Sequence, residues 1–293
     1  MQHLVTRTEF SDDDIKIIME AQADRWWTNV FTSVAVTEGS PRKCRHCSRR
    51  NENVAHILTM SGTLHPDSIT SLVKKRHNQG VEKLAHFIDQ GCDQWEVIAI
   101  EGKHTNQSTH QIISDYRQAR QRPDLIISNT NNGNIYVLDI TFAQDRGLIQ
   151  EDEWNKSTNR MGPHWDQWDK YGILKDKSSH KQTDSAPFHP HTGKRQKTDK
   201  VPFISSRARY YHRYTTIASL NQAKIGVIAI GVCGWVPSLT RQILWDLEGS
   251  KPPTNKFRFS HLSPDSLLKD LSETALKFIP LIYRKWTKSY RKS

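Results

Sequence analysis

The chain has 293 residues (33.9 kDa), is 35% hydrophobic and 25% charged, and carries a formal net charge of +11. That is enough chain for one large domain or two modest ones. It excludes disorder throughout, and no run approaches the roughly 18 to 20 uninterrupted apolar residues of a bilayer span. Forty-two Lys and Arg against 31 acids bias the surface toward polyanions, and four cysteines are too few for a disulfide scaffold.

The N-terminus MQHLVTRTEF has no apolar core of a secretory signal, so the protein is expected to be soluble, not exported and reduced at its thiols. Ser11 followed by Asp12, Asp13 and Asp14 predicts a capped helix start. Ile15, Ile18, Met19 and Trp26 continue it at helical spacing over about 12–29. A polar turn at Gly39-Ser40-Pro41 and a cysteine pair follow, then a second helix over 67–90 with a basic face.

Residues 95–101 (WEVIAIE) alternate like a half-buried strand, and Thr109 to Gln121 reads as a helix. The runs 124–128 (DLIIS) and 135–142 (IYVLDITF), joined by Asn131-Asn132-Gly133-Asn134, predict a β-hairpin. Residues 145–160 are polar and read as helical. From 161 to 206 the composition turns to His, Lys, Ser, Pro and Thr without periodicity, the signature of a long insertion. A helix over 207–223, a buried strand over 225–232, a turn at Gly234-Trp235-Val236-Pro237 and helices over 238–248 and 263–279 complete the chain.

Cys44-Arg-His-Cys47 with His56 makes C-x2-C-x8-H, a spacing that lets a short knuckle present two thiolates and an imidazole to one tetrahedral zinc. Ser61 falls where a closely spaced fourth cysteine would fit, and His65 could complete the set. The alternative is an isolated thiol pair among surface histidines. A filled knuckle has no open place for substrate, so the zinc is expected to be structural. On the helix that follows, Lys74, Lys75, Arg76 and His77 form a basic patch for nucleic acid, with His77 either a phosphate contact or a plain surface histidine.

Asp124 opens the first hairpin strand and Asp139 lies inside the second, flanked by Leu138 and Ile140. An unpaired carboxylate in a sheet core costs several kcal/mol unless something charged meets it, and either a divalent cation or a neighbouring Arg would do so. Acids on adjacent strands can converge on one hard ion that polarises a phosphate and activates water, magnesium being the expected one. Lys156 and Lys170 are the downstream candidates for a lysine near the nucleophile.

The order CRHC (44–47), AHIL (55–58), His65 with the Arg76-His77-Asn78 run, RPDLII (122–127) and YVLDITFAQD (136–145) resembles the C-terminal region of site-specific non-LTR retrotransposon polyproteins, over about residues 10–250. In that family a zinc knuckle precedes a restriction-like endonuclease of the PD-(D/E)xK class. The resemblance implies Cys44, Cys47 and His56 as zinc ligands, with Ser61 departing at the fourth place, where His65 could substitute. It also implies Asp124 and Asp139 as metal-binding carboxylates, Asp145 as an additional acid, and Lys156, or the Lys170-Tyr171 pair, as the catalytic lysine.

The implied fold is α/β, a small mixed sheet flanked by helices and preceded by a helical segment and the knuckle. Its parts are an N-terminal helical segment (1–40), the knuckle and basic helix (41–90), the endonuclease domain (91–250, insertion 161–206) and a basic helical tail (251–293). The expected activity is nicking of double-stranded DNA in the nucleus, priming a linked reverse transcriptase that copies element RNA, with no membrane association. This chain itself has neither an (F/Y)xDD motif nor a polymerase core. The rival expectations are a non-catalytic nucleic-acid-binding remnant or host-derived protein, and a zinc-scaffold interaction protein.

Overall fold

The computed structural model describes residues 10–26, 28, 43–44, 46–48, 51–59, 66–104, 110–149, 152, 205–249 and 263–290. His65, Lys156, Lys170 and most of the expected insertion lie outside the described residues. The insertion's last two positions already belong to a helix.

Helix α1 (Asp12–Gln22) starts as expected: Ser11 Oγ accepts from Asp14 N at 3.2 Å, and three aspartates occupy the first turn, where they complement the helix dipole. It is shorter than the periodicity predicts. Asp24 adopts a left-handed φ of 52°, and the chain folds back so that Trp26 Nε1 donates to Ile17 O at 3.3 Å. Trp26 is buried through tertiary contact, not as part of a longer helical stripe.

Helix α2 (Val54–Leu58) is one turn and a half, capped by Asn53, whose side chain accepts from His56 N at 2.7 Å. Helix α3 (Asp67–Gly91) buries Ile69, Gly80, Val81, Leu84, Phe87 and Ile88 on one stripe. A Cβ at Gly80 would stand 2.9 Å from Ile140 Cδ1 and 3.1 Å from Phe142, so the bare backbone is what lets α3 press onto the sheet here.

The sheet runs β1 (Trp95–Ile100), β2 (Lys103–His104), helix α4 (Gln111–Gln118), β3 (Leu125–Asn129), β4 (Ile135–Ala143), helix α5 (Ser205–Leu220) and β5 (Lys224–Gly231). Among the described residues it has five strands in the order β2-β1-β3-β4-β5. The first four pair antiparallel and β4 pairs parallel with β5, which makes the sheet mixed. The β3–β4 hairpin closes as predicted: Asn129 Oδ1 accepts from the backbone of Asn131 and Asn132, and Gly133 takes φ 70°. β5 is buried along almost its whole length, as a parallel strand covered on both faces must be.

Alternation sorts the strands between two layers. Leu125, Ile127, Leu138 and Ile140 pack with α3, α6 (Ser238–Glu248) and α7 (Pro264–Tyr290), while Ile126 and Val137 pack with α4 and α5. Asp145 anchors the turn after β5: its carboxylate accepts from Cys233 N at 2.8 Å and Trp235 N at 3.0 Å. It fills the space that a Cβ at Gly231 would need.

The C-terminal segment is not a tail. α7 continues past Pro280 to Tyr290 and buries Leu268, Leu271, Ala275, Ile279, Ile282 and Trp286 against α3 and α1. Its apolar residues recur every three or four positions, so one face is a wall of the core and only the opposite face is basic. Arg284 Nη2 meets Asp14 Oδ1 at 2.5 Å and ties α7 to the start of α1. No helix among the described residues is long and apolar enough to cross a membrane.

Candidate functional site

The knuckle is built by local closure. Lys43 and Asn51 form an antiparallel bridge, Ser48 N donates to Cys44 O at 2.7 Å, and Ser48 takes a left-handed φ of 52°. This tight turn presents both cysteines to the side of α2 that carries His56. The ligand atoms of Cys44, Cys47 and His56 all lie within 4.8 Å of one another, a group that could hold a metal ion such as zinc. Cys47 Sγ and His56 Nε2 are 3.5 Å apart. Burial pushes the Cys44 thiol up against the opposing backbone hydrogen bonds of Cys47 and His46, so a cation must displace its proton to bind.

The acid pair is built by the hairpin. The register pairs Leu125 with Leu138, and one further step places Asp124 opposite Asp139. Both are buried, at 7% and 3% exposure. Asp124 Oδ2 accepts from Ile140 N at 2.7 Å and Oδ1 meets His77 Nε2 at 3.1 Å. The Tyr214 hydroxyl lies beside the Asp139 side chain and donates to Arg122 O at 3.2 Å. That proton is spent on the Arg122 carbonyl, and Asp139 Oδ2 has no hydrogen-bond partner.

Burial, and then the adjacent Asp124, raises Asp139 well above the usual carboxylate range; Tyr214 and the charge of Arg213 oppose this. Two carboxylates in contact cannot both ionise cheaply, so the pair must share a proton or hold a cation. Burial alone would lower the His77 pKa, but the hydrogen bond and charge of Asp124, with the charge of Glu101, raise it.

The basic patch divides. Lys74 and Lys75 are exposed. Arg76 is not: it is 1% exposed, its Nη2 donates to Leu58 O at 2.8 Å, and its guanidinium lies 5.0 Å from the centre of the Phe142 ring. The expectation that it contacts nucleic acid is corrected, because at this point α3 turns its 76 position into the core. His77 belongs to the acid pair instead of standing as a plain surface histidine, since its Nε2 is spent on Asp124. Asp145 serves the turn after β5, not the pair.

Tyr214 and Arg213, both on α5, were not singled out by the sequence. Nothing in its pattern marks Tyr214, which is buried by Tyr116 packing edge-on at 5.6 Å. Arg76-His77-Asn78 did stand out as a run, but its direction did not.

No model of a known protein family matches the chain, and no curated protein matches it either.

Proposed function

We propose that the protein is a metal-dependent DNA endonuclease of the PD-(D/E)xK class, with a restriction-endonuclease-like fold, from the C-terminal region of a non-LTR retrotransposon polyprotein. The observation that carries this reading is the buried Asp124–Asp139 pair, in which one Asp139 oxygen has no hydrogen-bond partner. The small mixed sheet flanked by helices agrees with such a domain.

Asp124 and Asp139 are the residues that would hold magnesium, which when bound polarises a scissile phosphate and lowers the pKa of an attacking water. His77 and Ile140 N hold the Asp124 carboxylate, and Tyr214 lies beside Asp139. Lys156 or Lys170 is assigned to orient the nucleophile. Lys74 and Lys75, exposed on α3, grip the duplex backbone, in keeping with the net charge of +11. In the setting of such an element the product would be a nuclear nick whose 3′-hydroxyl primes a linked reverse transcriptase on element RNA.

Nicking of supercoiled plasmid in magnesium tests the reading. Asp124→Ala and Asp139→Ala should each lose it, and retained cleavage in both would overturn the assigned site.

Zinc is proposed for Cys44, Cys47 and His56, with His65 as the fourth ligand and a structural role. Purified protein should contain zinc by mass spectrometry, and Cys47→Ser should lose most of it and melt at lower temperature, because binding energy at such a site is folding energy. Zinc content unchanged by Cys47→Ser would count against the ligand set.

A further inference from the structure

Asp124 stands one residue before β3, beyond the last residue pair of the β3–β4 ladder, so the ladder alone does not set the direction of its carboxylate. Two contacts do. Ile140 N, from the neighbouring strand, donates to Oδ2 at 2.7 Å, and His77 Nε2 meets Oδ1 at 3.1 Å across 47 residues of sequence. A carboxylate accepts only, so the imidazole nitrogen is the donor. Held at both oxygens, the carboxylate cannot rotate about its Cβ–Cγ bond without losing one of the two hydrogen bonds.

The imidazole is itself held. The preceding residue, Arg76, is locked by its bond to Leu58 O at the end of α2 and by the Phe142 ring beneath it. One turn further along α3, Gly80 lies against Ile140 and Phe142, the residues that follow Asp139 on β4. Contacts on both sides of His77 thus fix where α3 sits on the sheet, and with it the distance from His77 to Asp124.

We propose that His77 is a positioning residue of the Asp124–Asp139 cation site, donating to Asp124 Oδ1 so that the carboxylate is held in its ligating orientation before the ion arrives. The inference rests on the metal reading above and deepens it: His77 touches neither phosphate nor ion, and acts through Asp124. Outer-sphere partners of metal ligands set affinity by roughly 10- to 100-fold.

The test uses the full chain and manganese as the probe, with bound ion read by loss of the free-ion electron paramagnetic resonance signal. The cation site is the component of binding that Asp139→Asn removes. His77→Ala should weaken that component by roughly 10- to 100-fold. His77→Gln, whose amide nitrogen takes the place of Nε2, should restore most of it. In plasmid nicking, His77→Ala should lower kcat and leave KM for DNA near wild type, because the substrate-gripping lysines are untouched.

His77→Met fills the space without a donor and supplies the comparison if His77→Ala fails to fold. Affinity equal to wild type in His77→Ala, or equally poor in His77→Gln and His77→Met, would overturn the positioning role alone. The absence of any Asp139-dependent manganese binding in the wild type would overturn the metal reading and the positioning role with it.

Discussion

Asp139→Asn is expected to abolish nicking and, in chelator, to make the protein more stable. The loss of activity should be on the order of 10³-fold or more, because a carboxylate ligand removed from a catalytic ion forfeits several kcal/mol of transition-state stabilisation. The gain in stability has its cause in burial. Asp139 is 3% exposed, faces Asp124 and has an oxygen without a partner, so its folded pKa lies well above the unfolded value near 3.9.

The pH dependence follows from that direction. Below the unfolded pKa the group is protonated in both states and costs nothing. As pH rises toward the folded pKa, the unfolded chain gives up its proton first, and stability falls until the folded pKa is passed. The difference between Asp139→Asn and wild type should open across that window and then stay constant, at about 1–3 kcal/mol for a charge with unmet hydrogen bonding. Thermal melts at several pH values in chelator measure it, and magnesium should narrow the gap by stabilising only the wild type. A variant that loses stability at pH 8 would show that the carboxylate is satisfied in the metal-free fold.

Arg76→Ala should damage the fold severely, at about 2–5 kcal/mol, the usual cost of truncating a large, fully buried side chain. The side chain is fully enclosed. Burial pulls its pKa down to about 10, with Cys233 and Asp145 acting in the opposite direction, so it remains a cation at neutral pH. Truncation removes the bond to Leu58 O, opens a cavity over Phe142 and takes away a positive charge that acts on buried Asp145. Asp145→Asn made together with Arg76→Ala should cost less than the sum of the two singles, since the uncompensated carboxylate is gone. Denaturant melts of the four proteins check this. A single-mutant loss below about 1 kcal/mol would be inconsistent with a side chain that ties α3 to α2.

Much of the framework could be read in the chain because its signals are local. Ser11 with three aspartates marked the start of α1, and the Asn131–Asn134 turn between two β-branched runs marked the hairpin. Counting outward from that turn puts Asp124 and Asp139 opposite each other, so the acid pair was accessible from spacing and strand period. The C-x2-C-x8-H spacing likewise brought its three ligand atoms together, since only a short closed turn and one capped helix separate them.

The readings that missed were those that depend on contacts distant in sequence. The expected last helix stops at 279, and the residues beyond it read as part of a basic helical tail. Only packing against α3 and α1 shows that α7 runs through the proline and walls the core. Trp26 fits a helical stripe by number, yet it is buried by stacking on Trp286, 6.3 Å away between ring centres and near the other end of the chain.

The sequence by itself therefore determined most of the elements, the hairpin and the spacing of three candidate knuckle ligands, because period, capping and turn chemistry act within a few residues. Tertiary structure alone decided that Arg76 turns inward while Lys75 stays out, that His77 reaches Asp124, and that Tyr214 closes over Asp139. Each depends on the angle at which a helix docks on the sheet, and that angle is set by the summed packing of both partners, which no local pattern encodes.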